Sequence, residues 1–129
     1  MTRVKQNMFS EEQAVTVTAD STNVLFFGAF NDIDKRLRFF VQVRDAATAD
    51  GAATVTFKLY TGATAAACTT LLWSSAAIGK AALTAGAYAV QEAMPAGGLG
   101  YYKIVYTVAT GPLTAGTFDA GIGWKMDDD

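Results

Sequence analysis

Few residues in this chain of 129 are able to do chemistry. It has no histidine and one cysteine, Cys68. The lack of histidine excludes every Ser-His and Cys-His nucleophile pair and every His-ligated zinc site. Cys68 stands in an Ala/Thr stretch and reads as a small buried apolar side chain ahead of a reactive thiol. The carboxylates remain. Glu11 and Glu12 are adjacent, so on a strand they point to opposite faces. Asn31, Asp32 and Asp34 in "NDID" bring oxygens together, but the glycine and bidentate glutamate of a calcium loop are missing. That segment reads as a turn satisfying its own backbone amides. Asp45, Asp50, Glu92 and Asp119 are the candidates for a glycosidase pair, and nothing in their spacing pairs them. "AGGLGYY" (96–102) is rich in glycine but leads into a strand, so it lacks the helix N-terminus of a phosphate cradle. The expectation is a protein that is not an enzyme and has no cofactor or metal.

The elements that must hold these residues are strands. "RLRFFVQVR" (36–44) alternates, with Leu37, Phe39, Val41 and Val43 on one face and Arg36, Arg38, Gln42 and Arg44 on the other. Phe40 is the exception on the polar face. "ATVTFKLY" (53–60) places Val55, Phe57 and Leu59 inward. "YYKIVYTVA" (101–109) places Tyr102, Ile104, Tyr106 and Val108 on one face, and "AGTFDAGIGWKM" (115–126) does the same with Phe118, Ala120, Ile122, Trp124 and Met126. Weaker strands are expected at 13–19, 23–28, 75–79 and 87–93, with a further short one near 69–73. Tyr106 to Trp124 reads as a hairpin with a Gly-Pro turn. Clusters of Gly, Pro, Asp, Asn and Ser separate the runs, and no helical period extends over eleven residues. About eight short strands predict an all-β antiparallel sandwich or barrel. Its expected core is Leu37, Phe39, Val41, Val43, Val55, Phe57, Leu59, Ile104, Tyr106, Phe118, Ile122 and Trp124.

The length suits one domain over 1–129, with a polar arm at 1–8 and an acidic tail at Asp127–Asp129. A net charge of −2 without a dense basic cluster argues against nucleic acid as a partner. No run approaches the ~20 apolar residues of a membrane span or has the make-up of a signal peptide, so a soluble protein of the cytoplasm is expected. Charged residues make up 17% of the chain, against about 25% in ordinary domains. From Leu59 to Gln91 the only charge is Lys80. A surface so poorly charged is expected to be covered in part by another protein.

Four segments then carry a resemblance: "FSEEQAVTVTADSTNVLFFG" (9–28), "FFVQV" (39–43), "SAAI" (75–78) and "YTVATGPLTAG" (106–116). In this order and spacing the chain resembles the Bbp16-type capsid cement proteins of tailed bacteriophages. The resemblance implies a jelly-roll-like β-sandwich on the outside of the phage head. It would clamp neighbouring major capsid subunits of HK97-like fold, with copies pairing as homodimers rather than trimers. The chain departs from that pattern at Phe26-Phe27-Gly28, where an acidic residue is usual, and in its Ala-rich stretch after Tyr60. The candidate contacts with the capsid or a second copy are Arg36, Arg38 and Arg44, the off-core aromatics Phe40, Tyr60 and Tyr101, and Trp73 in the neutral span. One of Phe26 and Phe27 also falls off the core face. The alternative is a β-sandwich binding module for carbohydrate, on a virion or a secreted enzyme; a glycosidase-like β enzyme comes third.

Overall fold

The computed structural model describes residues 8–28, 37–93 and 99–124. Ten strands follow in chain order: β1 (Met8–Ala14), β2 (Ala19–Asp20), β3 (Leu25–Gly28), β4 (Leu37–Thr48), β5 (Thr54–Gly62), β6 (Thr70–Ser74), β7 (Ile78–Gly79), β8 (Tyr88–Ala93), β9 (Gly100–Ala109) and β10 (Ala115–Trp124). They form two sheets, and every pairing is antiparallel. The four-stranded sheet has the order β1-β10-β4-β8. The six-stranded sheet has the order β2-β9-β5-β6, with β3 also on β9 and β7 also on β5. Taking β2 with β3 and β6 with β7 as interrupted single strands, this is the eight-strand order of a jelly roll. At the first interruption Ser21 preserves the pairing with β9. Its N–H donates to the Ile104 carbonyl (2.7 Å), and its Oγ accepts from the Ile104 N–H (3.1 Å).

Alternation builds the core. Phe39, Val41 and Val43 of β4 and Phe118, Ala120 and Ile122 of β10 face Val55, Phe57 and Leu59 of β5 and Tyr102, Ile104 and Tyr106 of β9, all of them buried in one cluster. Leu37 and Trp124 are paired through their backbones at the end of the β4–β10 ladder.

Two readings of the sequence are corrected. The "VTVT" of 15–18 is not a strand. Val15 is buried, Val17 is 60% exposed, and residues 16–18 bend as the chain crosses from one sheet to the other. The crossing is tied to the far end of the chain by Val15 N–H to Gly116 O (3.0 Å) and Leu113 N–H to Thr16 O (2.8 Å). Nor is 106–124 a hairpin, because β9 and β10 lie in different sheets. Thr110 (φ 62°) and Gly111 (φ 96°) turn the chain away from β9, and buried Leu113 anchors the passage over the end of the sandwich.

A polar chain runs out of this core. Bulges in β1 turn Ser10 inward, where it is fully buried. Tyr106 Oη donates to Ser10 Oγ (2.8 Å), and Ser10 Oγ donates to Gln13 Oε1, which also accepts from Thr22 N–H (2.9 Å). Burial pushes the Tyr106 hydroxyl well above the ordinary phenol range, and Asp119 adds to the shift. The folded protein therefore keeps this proton at a pH where the unfolded chain has lost it. The contribution is complete below pH ~10 and falls above it, by up to ~1.4 kcal/mol per pH unit. Urea titrations between about pH 9 and 11.5 should show Tyr106→Phe with a shallower alkaline loss of stability than the parent. Equal slopes would contradict this assignment.

Candidate interaction surfaces

The outer face of the four-stranded sheet carries the arginines that the sequence puts forward. Arg44 is engaged within the molecule. Its guanidinium lies 2.9 Å from Glu12 Oε1 and 3.3 Å from Asp119 Oδ2. Asp119, only 4% exposed, also accepts the Glu12 N–H at 2.8 Å. Glu12 reaches it in a left-handed conformation (φ 52°). Arg38 is half-buried, with its Nε buried and without a hydrogen-bond partner. Arg36 lies outside the described residues. Of the three arginines, Arg44 is thus held by carboxylates of its own sheet.

Phe40 is corrected from a surface contact to a fully buried residue outside the main core. It points outward from β4 in a row with Met8, Gly121 and Gln91. Gly121 leaves room beside it, and the Tyr88 ring meets it edge-on at 6.2 Å. Trp73 is half-buried, with one side against the core. A bulge between Leu59 and Tyr60 turns Leu72 and Trp73 onto the core, and Trp73 packs edge-to-face on Phe39 (5.1 Å). Alternation in so short a strand is overridden by one extra residue.

The outer face of the six-stranded sheet is different. Phe26 of β3 stands beside Tyr101 of β9, with ring centroids 4.9 Å apart and planes tilted by 55°. Tyr101 is paired across β9–β5 with Gly62, and the next outward pair is Lys103 with Tyr60. Lys58 follows on β5, and Lys103 Nζ meets Asp20 Oδ2 at 3.0 Å. Tyr60 and Tyr101 are both half-exposed. Phe26, at 68% exposure, is the residue that settles which member of the Phe26-Phe27 pair stands off the core face.

The neutral span 59–91 supplies an edge to each sheet, β6 and β8. Its single cation is held down, since Lys80 Nζ donates to the Ala49 carbonyl at 2.6 Å. An open groove between the 16–18 bend and the 108–112 turn is lined by Val17, Thr18, Val108, Gly111 and Pro112. The Thr18 hydroxyl there is bonded to the Val108 backbone. Among the described residues no three His, Cys, Asp or Glu side chains gather as a metal site, and Asn31, Asp32 and Asp34 lie outside them. What the described surface offers is contact: an aromatic face, two sheet edges with little charge, and a polar face on which Arg44 is held by its own carboxylates. No curated protein matches the chain. The family model Bbp16 matches residues 9–122, which takes in both sheets from the start of the Phe9 core packing to Ile122, and the chain belongs to the Bbp16 family.

Proposed function

We propose that this protein is a non-enzymatic capsid cement protein of a tailed phage, made in the host cytoplasm and bound to the outside of the head. There it clamps neighbouring major capsid subunits of HK97-like fold. The observation that carries the reading is the family match over 9–122, on a chain that forms a jelly-roll sandwich. The exposed chemistry is compatible with it, since a clamp needs shape and contact area, repeated over a symmetric shell so that weak contacts add. Copies pair as dimers rather than trimers along the neutral flank, where β6 and β8 present open strand edges with little charge to repel a second copy. The test is the composition of purified particles. The protein is expected there in numbers comparable to the major capsid protein, and particles lacking it should lose their DNA at lower temperature. Its absence from particles would overturn the reading.

A further inference from the structure

We propose that the outer face of the six-stranded sheet, at its β3–β9 end, is the surface that meets the shell. Phe26 and Tyr101 enter an apolar site on a shell protein, and Lys58 and Lys103 face carboxylates at that site's rim. This rests on the reading of the chain as a cement protein and assigns the face that the reading leaves open.

Three observations carry the inference. Phe26 is the most exposed large apolar side chain among the described residues, and Val24 and Leu99, two residues before Phe26 and Tyr101 respectively, are exposed as well. Aromatic side chains so placed are the common anchors of protein interfaces. Second, Phe26 is held in position. Its ring leans on Tyr101, and it lies over Gly100, where an added Cβ would come within 3.3 Å of the ring. A ring already fixed loses little conformational freedom on docking. Third, the charge on this face is complementary to an acidic partner. Among the described residues Lys58 and Lys103 stand here against one carboxylate, that of Asp20. Two copies meeting through the same face would bring together two patches of like net charge, which weighs against a two-fold contact between copies here. A sugar is also a poor occupant, because the 55° tilt between the rings leaves no coplanar platform for a pyranose. On the other sheet Arg44 is already held between Glu12 and Asp119.

The experiment is co-sedimentation with heads assembled without the protein, for the parent, Phe26→Asp, Lys58→Glu and Arg38→Glu. Thermal melting of each variant first establishes that it folds. Phe26→Asp is expected to weaken attachment ~10-fold or more, as loss of one anchoring aromatic does. Lys58→Glu should weaken attachment less and flatten its dependence on salt. Arg38→Glu should attach as the parent does. If folded Phe26→Asp attaches like the parent, or Arg38→Glu alone loses attachment, the assignment of this face is overturned while the cement reading stands. Sedimentation velocity of the free proteins separates the remaining case: Phe26→Asp breaking self-association without affecting attachment would give this face to a second copy and overturn the proposal. A parent protein that does not attach to heads at all would remove the cement reading and this inference together.

Discussion

Phe118→Ala is expected to lower stability by ~3–5 kcal/mol, the cost of a large-to-small change at a site that cannot collapse. Phe118 is fully buried on β10, an inner strand of the four-stranded sheet with β1 on one side and β4 on the other. Its ring stacks on Tyr106 (centroids 5.5 Å, planes 22° apart) and meets Phe57 edge-on (5.7 Å, 71°). Phe57 and Tyr106 are themselves cross-strand partners in the six-stranded sheet, 5.8 Å apart at 87°. The three rings therefore join the two sheets at one point. Such aromatic pairs contribute ~0.5–1.5 kcal/mol each beyond the area they bury, so the loss should fall in the upper part of the range. Against a total of ~5–15 kcal/mol for a domain, this one change puts folding at risk. Urea unfolding should show a lowered midpoint with an unchanged slope, and the melting temperature should fall by roughly 10–20 °C. Phe118→Leu, which keeps most of the volume, should cost under ~2 kcal/mol. A loss below about 1 kcal/mol for Phe118→Ala would mean that the sheets close over the gap and that the ring cluster does not hold them apart.

The inward residues of β4, β5, β9 and β10 were legible in the sequence because strands of nine to twelve residues repeat their period often enough to define a face. Legibility fails where a single residue outweighs the period. Glu12, in the left-handed region, and the β1 bulges let Phe9 and Ser10 both turn inward, and the chain then leaves the sheet before "VTVT" can form a strand. One bulge in β6 likewise turns Trp73 against the core. Phe40 follows the alternation and is buried nonetheless, because the pattern gives a direction and is silent on what lies over that face. The Gly-Pro turn marks a reversal, but local chemistry cannot say whether the next strand pairs with the last one or crosses to the opposite sheet. The same limit applies to the surfaces. The arginines of 36–44 read as a free basic face, and only the fold brings Glu12 and Asp119 from distant positions against Arg44. The exposed member of "FF" was legible as a candidate. Tyr101 was legible as a candidate too; that it stands beside Phe26, 75 residues away in the chain, was not.

Gly62→Ala should disrupt one end of the six-stranded sheet without enlarging any exposed side chain. Gly62 closes β5 opposite Tyr101. The chain then makes a single 3-10 turn, Ala65–Ala67, and folds back so that Cys68 is buried against it. A Cβ on residue 62 would stand 2.1 Å from the Ala67 carbonyl oxygen, 2.5 Å from its carbon and 2.7 Å from Cys68 Cα. All three are backbone atoms, so no rotamer change relieves the contact and the connection itself has to move. Overpacking of this kind costs ~1–3 kcal/mol where side chains can yield; here the expected loss is at the upper end, roughly 3 kcal/mol or more. Cys68 gives a local readout. In the parent, burial pushes its thiol above the usual range, although Lys103 acts the other way, and the side chain is covered. Reaction with a thiol reagent should therefore be slow until the protein unfolds. In Gly62→Ala the displaced 63–68 segment should expose the thiol under native conditions, with labelling faster than global unfolding allows. A variant as stable as the parent, with its thiol still protected, would show that the turn can shift by more than an ångström at no cost and that the close approach of Ala67 to Gly62 does not secure this end of the sheet.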